Sequence, residues 1–287
     1  MAKWLEHFRG KEEPVGPGRF GAYYLHERVN SGGMADIWLA TDEENHPWAV
    51  RILNPQARAD RISRRRFFHG CEVLQALQPH PYIIRYREHG KYKGIPYLVT
   101  EYIEGSNLKL LMAHEDPMLE EHIANILIDS AQALQHIHER GYIHLDFKPE
   151  NLMINRSGEV RLVDFDMAIP RPEKPQKLKS YPGTPVYMAP EMLLRKEIDH
   201  RVDIFAFGVT AYELLTFQKP FPGENAEAVL RLQLDPQWQP PPPSQINPAV
   251  PRQLDSIILR CLERDPDRRF PIMDLVVKSL QAILYIS

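Results

Sequence analysis

The apolar residues of this chain change their spacing near residue 105, and few folds satisfy both halves of that pattern. Before that point, GAYYLHERV (21–29), ADIWLAT (35–41) and HPWAVRIL (46–53) are short strand-like runs broken by turn residues, which predicts an antiparallel meander. A helix is expected over 58–77, with Phe67, Val73, Leu74 and Leu77 on its buried side, and YIIRYREHG and IPYLVTEYI read as two further strands. After residue 105 the period becomes helical. HIANILIDSAQALQHIHERG (122–141) sets Ile123, Ile126, Leu127, Ala131, Leu134 and Ile137 on one face and ends at Gly141, a good helix stop. DIFAFGVTAYELLT (203–216) is apolar nearly all round, which predicts a helix inside a core. AEAVLRLQL, PRQLDSIILRCL and IMDLVVKSLQAILY supply three more helices. The boundary between the halves falls at about 103–107, and there is no internal repeat.

Charge and cysteine content narrow the function classes. With 35 Lys and Arg against 38 Asp and Glu, the net charge of −3 argues against a basic nucleic-acid binder and against an acidic tail. Two cysteines, Cys71 and Cys261, make no disulfide framework, which fits a reducing compartment. No apolar run reaches the ~18–20 residues needed to span a bilayer, and MAKWLEHFRG lacks the apolar centre of a signal peptide. The expectation is a soluble, cytoplasmic chain. Its first residues form either a short amphipathic helix, with Trp4, Leu5 and Phe8 on one face, or a frayed tail. The 26 prolines concentrate at 170–190 and 236–251, so QPPPPSQINP (239–248) reads as an inter-helix loop.

The chemistry concentrates in two places. Val29, Asn30, Ser31, Gly32 and Gly33 sit between two strands, where glycines let backbone N–H groups approach a phosphate; a plain hairpin turn explains the same residues. The stronger signal is HLDFKPEN (144–151), which follows the long helix and precedes VRLVDFD (160–166). An acid at 146, a lysine two residues later and an amide at 151 can converge on one hydroxyl, one phosphate and one metal. Asp164, at a strand end, offers the oxygen donor that Mg²⁺ prefers.

On these motifs, together with GTPVYMAPE (183–191), DIFAFG (203–208) and DPDRRF (265–270), the chain resembles a protein kinase catalytic domain, most closely the eukaryotic-like serine/threonine kinases of bacteria. The resemblance covers residues 20–284. It implies a two-lobed α+β fold: an extension (1–19), a small antiparallel-sheet N-lobe (20–103) and a larger, mainly helical C-lobe (104–287), with a cleft for ATP and Mg²⁺ between the lobes. Asp146 matches the residue that accepts the substrate hydroxyl proton, and Lys148 the lysine that steadies the γ-phosphate. Asn151 and Asp164 match the two Mg²⁺ ligands. Thr184 matches the threonine joining catalytic loop and substrate-binding segment. Glu191 and Arg269 resemble a buried ion pair, and Asp203 an anchor for the catalytic-loop backbone. Thr100 is then the gatekeeper of a hinge. Backbone groups of Glu101 and Ile103 would bond adenine, while Ile37, Ala49 and Met153 would sandwich the ring.

Five departures qualify the resemblance. Arg51 stands where the family places the strand-three lysine, and the exchange is not conservative. Gly70 aligns with its helix glutamate partner, so the pair is either absent or shifted to Glu72. DFG reads Asp164-Phe165-Asp166; the extra carboxylate could recruit a cation or simply cap the loop in solvent, and glycine's freedom is lost at 166. Leu145 replaces the catalytic-loop arginine, so acidic substitution of Ser180, Tyr181 or Thr184 is expected to leave activity nearly unchanged. Asn30 and Ala35 replace two loop glycines, Asn30 being able to adopt left-handed geometry. Arg58, Arg61, Arg64, Arg65 and Arg66 form either a solvated helix face or a docking patch. Two functions stay open: ATP-dependent phosphoryl transfer to Ser or Thr of a protein substrate, with weak activity, or a nucleotide-binding pseudokinase serving a signalling partner as scaffold or switch. Neither substrate nor oligomeric state follows from the sequence.

Overall fold

The computed structural model describes residues 15–284, so the Trp4, Leu5 and Phe8 face lies outside the described residues. Contacts sort the chain into two compact units, one running up to Cys71 and including Arg85–Tyr102, the other Glu72–Ile84 with Ile103 onward.

The first unit is built on six strands: β1 (Gly18–Phe20), β2 (Tyr23–Ser31), β3 (Ala35–Thr41), β4 (Pro47–Leu53), β5 (Tyr86–Tyr92) and β6 (Ile95–Glu101). They form one antiparallel sheet in the order β1-β2-β3-β4-β6-β5. Register divides its faces. Leu25 opposes Ala40, Trp38 opposes Val50 and Val50 opposes Val99; these residues, with Phe20, Trp48 and Ile52, pack into one apolar cluster. The opposite face carries Ile37 across from Arg51, and Ala49 across from Thr100. The single helix expected over 58–77 is two, α1 (Pro55–Ala59) and α2 (Arg61–Ala76). Asp60 breaks the run: its backbone is extended, and its carboxylate accepts both the N–H and the hydroxyl of Ser63, at 2.8 and 2.6 Å. A side chain that caps one helix cannot also continue another. The short β1 had no sequence signal of its own.

The second unit holds β7 (Gly105–Asn107), α3 (Leu108–Ala113), α4 (Met118–Glu139), β8 (Tyr142–Ile143), β9 (Leu152–Asn155), β10 (Val160–Leu162), β11 (Ile169–Pro170), α5 (Pro190–Leu193), α6 (Arg201–Thr216), α7 (Ala226–Leu234), α8 (Pro243–Ile246), α9 (Arg252–Cys261) and α10 (Met273–Leu284). Helix α6 is buried from Val202 to Thr216, as its apolar circumference requires. Gly208 lets α9 come close: a Cβ there would lie 2.7 Å from Cys261 Cβ. The proline-rich loop contains α8 and is tied down by Tyr212 Oη, which donates to Pro241 O at 3.0 Å. Residues 72–84, assigned by sequence to the first lobe, cluster here instead. His136 Nε2 on α4 lies 2.8 Å from Leu77 O, and Ile84 N donates to Leu162 O at 3.1 Å. Among the described residues no helix is long and apolar enough to cross a membrane.

Candidate active site

Helix α4 ends where Gly141, at φ +80°, turns the chain into β8; the polar loop 144–148 follows, and a 3-10 turn (Pro149–Asn151) leads into β9. Asp203, in the first turn of α6 and 1% exposed, organises that loop. Its Oδ2 accepts the N–H of His144 at 2.8 Å and lies 2.9 Å from His138 Nε2; its Oδ1 accepts the N–H of Leu145 at 2.9 Å. Burial opposes a charge on Asp203, yet the His138 hydrogen bond and the surrounding donors hold its carboxyl below the usual range. Leu145 is buried with φ +66°, a left-handed backbone that costs an L residue about 1 kcal/mol or more. The two fixed N–H groups hold it there. His144 is fully buried; burial depresses its pKa, and its Nδ1 accepts the N–H of Asp146 at 3.3 Å.

These anchors bring Asp146, Lys148, Asn151 and Thr184 into one group. Lys148 Nζ donates to Asp146 Oδ2 at 2.7 Å and to Thr184 Oγ1 at 2.9 Å. Thr184 Oγ1 donates to Asp146 Oδ1 at 3.3 Å. Asn151 Nδ2 donates to the Asp146 carbonyl at 2.8 Å and to its Oδ2 at 3.3 Å, leaving the amide Oδ1 without a hydrogen-bond partner among the described residues. The acidic replacement of Thr184 expected to be neutral is corrected here, since its hydroxyl bridges Lys148 and Asp146. Asp164 adopts φ +64°, so the left-handed step falls on this residue and not on the position of the missing glycine. Asp166 is 5% exposed, with its N–H 3.3 Å from Asp164 Oδ1, which overturns the reading of a solvated cap.

Bonds between residues far apart in the sequence brace the segment that carries Thr184. Arg269, 1% exposed, grips Glu191 through both guanidinium nitrogens at 2.7 and 2.8 Å. Tyr187 Oη donates to Glu213 Oε2, and Lys109 Nζ to Glu213 Oε1, both at 2.6 Å; burial, and then the Glu213 carboxylate, drive the phenol pKa up. Neither Lys109 nor Glu213 carried a sequence signal. Tyr181 Oη donates to Lys196 O at 2.6 Å and accepts from Leu178 N at 3.1 Å, so this hydroxyl too is structural.

In the first unit the register aligns Asn30, Ile37 and Arg51 in one row, with Ala49 and Thr100 in the next. Asn30 is extended within β2, not left-handed. Val29 is exposed, and Ser31 Oγ donates to Asp36 Oδ1 at 2.6 Å. The turn closes with Gly32 N on Ala35 O at 3.0 Å, while Asn54, unnoticed in the sequence, donates to Gly33 O at 2.9 Å. Arg51 places its guanidinium over the buried Phe67 ring, 5.4 Å from the centroid. On α2, Gly70 is buried, whereas Glu72 is exposed and makes no ion pair among the described residues. Arg58 is 8% exposed, so it does not belong to a solvated arginine face. Thr100 is buried; Glu101 N donates to Arg85 O at 3.0 Å, and Glu101 O accepts Thr100 Oγ1 at 3.3 Å. In the second unit Ile103 and Met153 are half-buried.

Comparison with known proteins matches residues 23–280 to the protein kinase domain. A probable serine/threonine-protein kinase of Streptomyces coelicolor is 31% identical over 281 residues, covering 95% of this chain and 41% of that protein. Serine/threonine-protein kinase PknB of Mycolicibacterium smegmatis is 31% identical over 86% of this chain and 40% of its own length. PrkC of Bacillus subtilis, also a serine/threonine-protein kinase, is 31% identical over 87% and 38%. The chain thus spans about two fifths of the length of these relatives.

Proposed function

The chain belongs to the protein kinase domain family, and from that membership we propose that it transfers the terminal phosphoryl group of ATP to Ser or Thr hydroxyls of protein substrates. One observation carries the reading: Lys148, Thr184 and Asn151 each place a polar atom within 3.3 Å of Asp146. Asp146 orients the substrate hydroxyl and accepts its proton. Lys148 lies between that carboxylate and Thr184, placed to meet phosphoryl charge. Transfer of this kind is positioning and charge neutralisation, and a buried, cross-braced loop supplies the positioning.

The residues fit a magnesium ion. Among the described residues no three His, Cys, Asp or Glu side chains gather to hold a metal unaided, but Mg²⁺ needs only one or two protein oxygens beside those of phosphate. Asn151 Oδ1 and the Asp164 carboxylate would hold it, and Mg²⁺ when bound neutralises phosphate charge. For the nucleotide base we assign the half-buried apolar Ile37, Ala49 and Met153, the gatekeeper Thr100, and the backbone of Glu101 and Ile103. Val29–Gly33 and Arg51 are assigned to the phosphates. ATP supply and two free, buried cysteines support a cytoplasmic setting.

Transfer of radiolabelled γ-phosphate to a mixed Ser/Thr substrate tests the proposal. Incorporation is expected, falling ~10²–10⁴-fold in Asp146→Asn. Binding of Mg-ATP without incorporation would overturn it in favour of a nucleotide-binding scaffold.

A further inference from the structure

The stretch from Pro172 to Ile198 carries charge of the opposite sign to the chain as a whole. It holds five cations, Lys174, Lys177, Lys179, Arg195 and Lys196, and three carboxylates, in a chain of net charge −3. One carboxylate, Glu191, is buried against Arg269. Glu173 and Glu197 remain, both exposed. All five cations are exposed, and none makes an ion pair among the described residues. Lysines and arginines elsewhere on the chain often do pair: Lys109 with Glu213, Arg201 with Asp199 and Asp267, Lys278 with Asp274.

The backbone gathers these charges on one surface. Gln176 and Ile198 exchange both hydrogen bonds, at 3.1 and 2.9 Å, and Tyr181 Oη donates to Lys196 O. Residues 176–181 therefore run alongside 196–198. The same stretch continues into Gly183, where a Cβ would sit 3.1 Å from Leu145 O, and into Thr184, which bonds Asp146. Lys179 and Thr184 stand five positions apart, so their Cα atoms lie within about 18 Å. A peptide segment a few residues long whose hydroxyl met Asp146 would span that distance.

We propose that the surface formed by Lys177, Lys179, Arg195 and Lys196 selects acidic protein segments, so that the accepted Ser or Thr is flanked by Asp or Glu. The proposal rests on the phosphoryl-transfer reading for the use made of the bound segment. Binding itself is a separate quantity. Individual exposed pairs are weak and screened by salt, so discrimination comes from several acting together.

Three fluorescent peptides with one central Ser, flanked by Asp and Glu, by Gln and Ala, or by Lys, test this by anisotropy with the intact chain. The acidic peptide should bind about tenfold more tightly than the neutral one, as a few pairs of ~0.2–1 kcal/mol each allow, and the margin should shrink in high salt. The triple variant Lys177→Glu, Lys179→Glu, Lys196→Glu should lose that margin while its circular dichroism and its kcat on the neutral peptide stay at wild-type values. Equal binding of acidic and neutral peptides, or a preference that survives in the triple variant, overturns the proposal. Selective binding of the acidic peptide with no phosphate transferred to any peptide would instead defeat the phosphoryl-transfer reading and leave the selective surface standing.

Discussion

Asp203 Oδ1 accepts the backbone N–H of Leu145 at 2.9 Å, across 58 residues of sequence, and fixes a left-handed residue in place immediately before Asp146. The neighbouring oxygen takes His144 N and faces His138. Asp203→Ala strands all three groups in the interior. Loss of a charge-assisted network of this kind is expected to cost about 3–5 kcal/mol and to abolish phosphoryl transfer. Urea unfolding and the radiolabel assay check both; a destabilisation below about 1 kcal/mol would remove Asp203 from this role.

The Glu191–Arg269 pair is expected to hold geometry through mutual dependence. Glu191→Gln and Arg269→Met should each destabilise by about 3–5 kcal/mol, because each leaves a buried partner uncompensated. The double variant should be far less destabilised than the sum. A double-mutant cycle by denaturant titration checks this, and simple additivity would contradict it.

Acid should weaken the fold earlier than carboxylate protonation alone would. Burial, followed by the charge on His138, pushes His200 down to about 4, and burial with His136 does the same for His80. An unfolded imidazole titrates near ~6.5. Below that value the unfolded chain takes up protons that the folded chain refuses, so stability that is fully present above ~6.5 is lost as pH falls toward 4. Urea midpoints measured across this window should decline. They should decline less steeply in His200→Gln.

Arg51 is seated against Phe67, so restoring a lysine does not restore a simple charge. A lysine ammonium lacks the planar face that the ring engages. Arg51→Lys is expected to weaken Mg-ATP binding several-fold, read by calorimetry. A rise in turnover at unchanged affinity would show the arginine to be a handicap.

Ser180 is exposed, whereas the Tyr181 hydroxyl joins Leu178 to Lys196. Ser180→Glu should therefore leave transfer within about twofold of wild type. Tyr181→Phe, which forfeits hydrogen bonds worth ~0.5–1.5 kcal/mol each, should speed hydrogen exchange at residues 176–181. Unchanged exchange would rule out the tether.

What the sequence revealed was whatever depends on local spacing. Helices α4, α6, α7, α9 and α10 follow from apolar period, and residues 144–151 are nearly contiguous, so Asp146, Lys148 and Asn151 announce themselves. Partners far apart in the chain carry no such signature: Lys109 and Glu213 stand 104 positions apart, and Asn54 reaches back 21 to Gly33. The break between α1 and α2 was hidden because Asp60 reads equally well as a polar helix residue and as a cap. The resemblance to kinases placed Glu191, Arg269 and Asp203 where periodicity could not. At Asp166, where the resemblance expects glycine, residue chemistry alone misleads, since a loop carboxylate looks solvated until its burial is known.

The positive φ of Asp164 has a practical corollary for anyone dissecting this domain by mutagenesis. In the proposed function a single side chain there answers two demands, offering an oxygen to magnesium and tolerating a rare backbone, so Asp164→Ala would confound them. Asp164→Asn keeps the tolerance and removes the negative charge, while Asp164→Gly relaxes the backbone and deletes the donor. The pair of replacements separates the two contributions that an alanine scan would merge.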